Sequence, residues 1–393
     1  MTDAERRRAV AQLLVIRASG HAEDGQRRYP QWEHCNRDLE RLLRSGVGGV
    51  ILLGGSATEL QQRCRTLRSW SDSGDLLLCA DVEEGIGQRF EGATWLAPPM
   101  TLGRLHRRDP QRALNLAERY GRTTGDQAKR CGLNWVLAPV CDVNSNPDNP
   151  VINVRAWGDR PQTVADLVAA FERGLNAAGV LGCAKHFPGH GDTDRDSHLE
   201  LPLISHDRSR LEQVELVPFR RLIASGIASV MTAHLLIPAL DEDQPATLSK
   251  AVLTDLLRTE LDFAGLVVTD ALVMEAISRR MGPQEAAVQA FAAGADLILM
   301  PADADAAIDG ICAALAEGRI PESRLNESLR RRAEALQRCE GNPVGEVAPI
   351  LETAGDHDLS MELVKSSLEI QGSGPASQLE REGVNLIRVD GVL

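Results

Sequence analysis

The chain is poor in aromatic residues: five Trp, two Tyr and six Phe make up 3% of its 393 positions. A long groove that works by stacking rings would need more of them, so a short pocket is favoured. No Cys-x-x-Cys pair occurs among the eight cysteines, and several of them sit inside apolar runs. A zinc ribbon or a disulfide framework is therefore unsupported, and a reduced, cytoplasmic protein is expected. A basic excess is lacking too. Formal net charge is -13, which argues against nucleic acid as a partner. The arginines at 6–8 and 330–332 fall in helix-like contexts and read as solvated faces. No apolar run is long enough to span a bilayer, and the start, MTDAERRRAVAQLLVIRASG, has no small-residue cleavage signal after its short apolar stretch. No membrane association is expected.

What is present is ordinary in amount and regular in order. Hydrophobic residues make up 43% and charged residues 25%, as in a soluble globular chain long enough for a sizeable core. Short, nearly continuous apolar runs fall at 13–16, 49–53, 76–80, 135–140, 182–184, 228–232, 266–269 and 297–300. Such runs fit strands buried on both faces of a parallel sheet. Helical patterns lie between them, at 58–70, 111–129, 163–178, 208–224, 249–261 and 284–293, with Ser249 placed to cap one and Pro283 to open another. Eight strands alternating with helices predict an α/β fold of the (β/α)8 TIM-barrel type over 1–340. A doubly wound open sheet is the alternative, but no GxGxxG follows an early strand. The helical pattern runs on through 321–339, and EGNPVGEVAP then reads as a linker. Residues 341–393 are expected to be this linker and a short extension packing on the barrel, with an amphipathic stretch at 359–368 and a strand-like run at 384–389.

The densest chemistry lies at 184–202, AKHFPGHGDTDRDSHLELP, with three of the nine histidines, three aspartates and a lysine among two glycines and two prolines. An apolar lead-in delivers Lys185 and His186 to a strand end, and a polar loop follows. Active sites of such barrels sit where the strands end. The other polar strand ends are Asp81, Asp142, His234 and Asp270, so five of the eight predicted strands finish in ionisable groups.

KHFPGHG followed by DTDRDSH resembles the signature of the β-N-acetylglucosaminidase branch of glycoside hydrolase family 3. ADVEEGIGQRF, APVCDVN, NPVINVRAWGDRP, VMTAHLLIPALD, PATLSKAVLTDLLRTELDFAGLVVTDAL and AFAAGADLILMP are similar to that family's other motifs and keep its order from about 13 to 300. The resemblance implies a retaining exo-acting enzyme that releases terminal N-acetylglucosamine, with turnover of cell-wall muropeptides as its setting and no cofactor or metal. It places the nucleophile at Asp270, whose carboxylate can attack an anomeric carbon and leave again. It places the acid/base at His198, with Asp196 two residues before it. An imidazole titrates near neutrality, and a nearby carboxylate fixes its tautomer. Asp81, Arg89, Arg155, Lys185 and His186 align with sugar-contacting positions, and His234 is a further lining candidate. Asp142 is a candidate to orient Lys185 or Arg155. The glycines and proline of FPGHGD suggest a hinge-like turn and a loop that closes on substrate.

Departures bear on specificity. After Asp81 the family's usual Gln-Glu-Gly-Gly-Arg is replaced by Val82, Glu83, Glu84, Gly85, Ile86 and Gly87, which alters the pocket wall; Val273 replaces an acidic residue frequent three positions after the nucleophile. A histidine acid/base tolerates an incoming anion, so phosphorolysis stays open. β-Glucosidases of the wider family usually carry their acid/base in a second domain, which favours the N-acetylglucosaminide reading. His186, His190, Asp192, Asp196 and His198 could be drawn as metal ligands, but their spacing matches no zinc pattern. A non-catalytic sugar-binding protein is disfavoured by the presence of both Asp270 and His198.

Overall fold

The computed structural model describes residues 1–72, 74–197, 200–339 and 351–367. Among these residues eight strands are formed: β1 (Leu14–Ser19), β2 (Gly49–Leu53), β3 (Leu77–Ala80), β4 (Trp135–Val136), β5 (Cys183–Phe187), β6 (Ser229–Thr232), β7 (Leu266–Val268) and β8 (Ile298–Leu299). All pair in parallel, in a five-stranded sheet ordered β4-β3-β2-β1-β8 and a three-stranded sheet ordered β5-β6-β7. Isolated parallel bridges join the two, Trp135 to Leu181 and Val140 to Lys185 on one side and Val268 to Leu297 on the other. The fold is α/β, with helices covering parallel sheets. That explains why the strands are apolar on both faces: β3 is buried at every position.

Local chemistry sets most element boundaries. β2 spans the apolar run read from the sequence. β4 stops short of the expected 135–140 because Pro139 has no N–H for the ladder. β1 runs three residues beyond the apolar run and takes in Arg17. The helix expected at 208–224 is two, Arg208–Gln213 and Leu216–Ala224. Pro218 cannot donate to the carbonyl one turn back, so it suits the first turn of a new helix rather than the middle of a long one. Ser249 does accept from the Val252 amide, at the start of a wide-turned helix, Ala251–Glu260. Pro283 opens the helix Pro283–Ala293.

The end of the sheets away from the polar strand ends is held by charge. Asp296, fully buried just before β8, accepts from Arg324 at 3.2 Å, Arg331 at 3.0 Å and Ser328 at 2.7 Å, and it also pairs with Arg258. Burial would raise this carboxyl, but the three guanidiniums hold it below its ordinary value. The helix Ala354–Ser367 lies on the flank: Glu362 pairs with Arg119 at 2.7 Å and Arg112 at 3.2 Å, and Asp356 accepts from Thr123 at 2.9 Å. The expected linker and the strand-like run at 384–389 lie outside the described residues. No helix among the described residues is long and apolar enough to cross a membrane.

Candidate active site at the strand ends

Two charged networks meet at the ends of β3, β4 and β5. The first is centred on Glu83, three residues past β3 and 5% exposed. Its two oxygens take the Arg155 fork, Nε at 2.8 Å and Nη2 at 2.8 Å, and Oε1 also lies 2.6 Å from Lys185 Nζ. Lys185, 1% exposed, donates to Asp81 Oδ1 at 2.8 Å as well. Arg89 Nε donates to the Asp81 carbonyl at 3.0 Å. Burial would raise the Glu83 carboxyl, but Arg155 and then Lys185 pull it well below its ordinary value. Burial would equally lower the two cations. Glu83 outweighs it at Arg155, and Asp81 with Glu83 outweighs it at Lys185, so both remain protonated above their usual ranges.

The second network is centred on Asp142, fully buried past β4. Its Oδ2 is 2.7 Å from His186 Nδ1, and its Oδ1 accepts from the His190 amide at 2.6 Å and the His186 amide at 3.2 Å. Asp142 therefore positions His186 and the start of the loop rather than bonding Lys185 or Arg155, the role expected for it. The group that holds those two cations is Glu83.

The loop after β5 is packed at its base. A Cβ on Gly191 would stand 1.8 Å from the Val143 carbonyl oxygen, and one on Gly189, at φ +135°, 2.7 Å from the Glu215 Cβ. These glycines serve close approach, where a hinge was expected. His190, 2% exposed, bonds Thr193 Oγ1 through Nδ1 and Ser197 Oγ through Nε2, both at 2.9 Å. Thr193 spends its own hydroxyl proton on the His190 carbonyl. The network closes with Nδ1–H donating and Nε2 accepting from Ser197. Burial pushes the His190 imidazole down to about 4. Asn149 Nδ2 donates to the His190 carbonyl at 2.8 Å, and Asn149 Oδ1 caps the Val151 and Ile152 amides at 2.9 and 2.8 Å. One side chain thus joins this loop to the segment carrying Arg155.

Asp270 stands two residues past β7 and His234 two past β6. Asp270 Oδ1 accepts from the Ala271 amide at 2.7 Å, and His234 Nε2 donates to the Ala271 carbonyl at 3.1 Å while Nδ1 meets Thr247 Oγ1 at 2.8 Å. His234 is fully buried and braces the chain next to Asp270. Asp196 lies in the loop after β5, and His198 lies outside the described residues.

Among the described residues, the histidines and aspartates once drawable as metal ligands do not converge. One group does, Asp192, His206 and Glu215, with ligand atoms within 4.8 Å of one another. Arg210 donates to Glu215 at 3.0 Å and lies 3.7 Å from Asp192, so a cation already occupies that cluster. A cavity of about 470 Å³ lies at the opposite end of the sheets, against Arg65, Arg68, Asp75 and Asn134, and none of the strand-end groups lines it.

The sequence marks Glu83 only as part of an altered pocket wall and does not single out Asn149. Glu83 has one local signal, an acidic residue two places after Asp81 at the end of an apolar run; Asn149 has the turn composition around it and nothing more.

Parallel strands whose carboxyl ends gather paired carboxylates and cations on one face define an enzyme of the strand-end type. The chain belongs to glycosyl hydrolase family 3: the model for the Glycosyl hydrolase family 3 N terminal domain matches residues 7–335. Among similar proteins, Beta-hexosaminidase A of Pseudoalteromonas piscicida is 38% identical over 283 residues, covering 67% of this chain and 47% of that protein. This chain thus spans about half of that relative's length. A Beta-hexosaminidase of Chromobacterium violaceum is 37% identical over 318 residues, covering 77% of this chain and 86% of its own. The structure of a glycoside hydrolase family 3 beta-N-acetylglucosaminidase from Paenibacillus sp. str. FPU-7 superposes with a TM-score of 0.83 at 37% identity, covering 93% of this chain and 70% of the other.

Proposed function

We propose that this protein is a retaining exo-β-N-acetylglucosaminidase. The observation that carries this is Asp270 past the end of β7, on the face where β3, β4 and β5 present Asp81, Lys185, Arg155 and His186, in a chain of this family. The terminal sugar is held by Asp81, which can accept from its hydroxyls, and by Arg89, Arg155, Lys185 and His186, with His234 lining the floor. Asp270 attacks the anomeric carbon as His198 gives a proton to the departing oxygen, so one C–O bond forms as another breaks. His198, oriented by Asp196, then takes a proton from water, whose oxygen displaces Asp270 and restores the β configuration. No cofactor enters these steps. Glu83 and Asp142 fix the cations and His186 in advance, so little reorganisation accompanies charge development.

The wider reading is a closed (β/α)8 barrel, with the three parallel bridges completing the ring between the sheets. The substrate is a small N-acetylglucosaminide such as a cell-wall fragment, met in the cytoplasm, where eight unpaired thiols are stable. The decisive experiment compares wild type and Asp270→Asn on an aryl β-N-acetylglucosaminide, with and without phosphate. Turnover by the wild type, lost in the variant and yielding free N-acetylglucosamine in both buffers, is expected. Sugar 1-phosphate as the product would replace hydrolysis by phosphorolysis, and equal activity in the variant would remove Asp270 from the reaction.

A further inference from the structure

Among the described residues, seven large hydrophobic side chains are exposed, and four of them, Trp32, Trp95, Val154 and Leu203, lie in loops that follow β1, β3, β4 and β5. Trp32 is 45% exposed in a chain whose Trp135 and Trp157 are fully buried. Its loop is built rather than loose. The Trp32 and Glu33 amides both donate to the Tyr29 carbonyl at 2.9 Å, the Tyr29 amide donates to Glu33 Oε2 at 3.0 Å, and the His34 amide donates back to the Arg17 carbonyl at 3.1 Å. The Tyr29 and Trp32 rings lie 5.8 Å apart at 31°. The Arg17 guanidinium sits 5.1 Å from one centroid and 5.7 Å from the other. Beneath it is Glu33, 3.8 Å away and buried. Cation and carboxylate fix the rings from below and leave an aromatic face open.

This shelf adjoins the charged strand ends. Gly20, just past β1, packs on the ring of Phe90, the neighbour of Arg89: a Cβ there would stand 3.2 Å from that ring. Asp81 and Arg89 both act electrostatically on Arg17. An exposed aromatic face beside strand ends rich in hydroxyl-binding groups suits a pyranose, whose C–H face packs on a ring while its edge stays solvated.

We propose that Trp32, backed by Tyr29 and Arg17, is the subsite for the sugar on the leaving side of the scissile bond, and so sets preference for saccharide over small aglycones. This rests on the glycosidase reading above. The test measures kcat/KM for N,N′-diacetylchitobiose and for methyl β-N-acetylglucosaminide in wild type, Trp32→Ala and Trp32→Phe. The ratio of disaccharide to methyl glycoside should fall about tenfold in Trp32→Ala and recover largely in Trp32→Phe. An unchanged ratio, whether both rates fall together or neither falls, overturns the subsite while leaving the glycosidase intact. A wild type that cleaves neither substrate overturns the glycosidase reading and the subsite with it.

Discussion

Replacing Glu83 by Gln removes one charge and almost no volume from the centre of the first network. Arg155 would lose both of its carboxylate contacts, and Lys185 would keep only Asp81. Lys185 is buried and Arg155 largely so, with side chains 2% and 17% exposed. Removing one partner of a buried ion pair costs about 3–5 kcal/mol, because the charge left behind is uncompensated. With unfolding entropy of about 2.1 cal/mol/K per residue, a chain of 393 residues should lose about 4–6 °C of Tm. Glu83 titrates below its ordinary value in the folded state, so its contribution is fully present above the unfolded carboxylate pKa and is lost as pH falls through the depressed value. The Tm gap between wild type and Glu83→Gln should thus hold from pH 5 upward and narrow only in stronger acid. Activity should fall further than stability suggests. An ill-placed Lys185 or Arg155 costs on the order of 100-fold in kcat/KM, the effect of a misplacement of about 1 Å. Thermal unfolding and aryl-glycoside kinetics at pH 7 measure both. A Tm within about 1 °C of wild type, with kcat/KM within about twofold, would refute Glu83 as the organiser.

His190 and Asp296 give two further tests. His190 has a folded pKa of about 4 against an ordinary 6.5, so below pH 6.5 the unfolded chain takes up a proton that the folded one refuses. Stability should fall by about 1.4 kcal/mol per pH unit, to a total near 3 kcal/mol by pH 4. Chemical denaturation of wild type and His190→Gln at pH 7 and 4.5 checks this: the pH slope should be shallower in the variant, and equal slopes would disprove it. Asp296→Asn leaves Arg258, Arg324 and Arg331 without their shared carboxylate, far from the strand ends. A loss of about 3–5 kcal/mol with KM unchanged is expected by denaturant unfolding and kinetics, and a changed KM would show that this end of the fold reaches the site.

Elements set by local chemistry were legible in the sequence. The apolar runs marked all eight strands, and capping residues such as Ser249 and Pro283 marked helix starts. Arg17 hid the far end of β1 because a charged residue breaks an apolar run, though here its charge is answered by Glu33 and its face by two rings. Of the site, the residues that announce themselves by motif or by a strand end were visible, Asp81 and Asp142 among them, but their pairing was not. Glu83 meets Arg155 across 72 positions, and Asp142 meets His186 across 44. No periodicity or propensity records which carboxylate answers which cation; only the packing of β3, β4 and β5 side by side does.

That packing also explains why neighbours on β5 depend on different carboxylates. Lys185 turns to Asp81 and Glu83, the pair that follows β3, whereas His186 turns to Asp142, which follows β4. Asp142 also accepts the His190 amide, so the group that orients His186 fixes where the loop begins. From there Asn149 holds the His190 carbonyl, and His190 holds Ser197, the neighbour of Asp196. The cations proposed to hold the sugar and the chain that delivers the proposed acid/base are therefore braced by separate carboxylates. Loss of Glu83 should damage the hold on the sugar while leaving the loop in place, and loss of Asp142 should do the reverse. A pH profile of kcat separates the two, because only displacement of the acid/base moves its limbs.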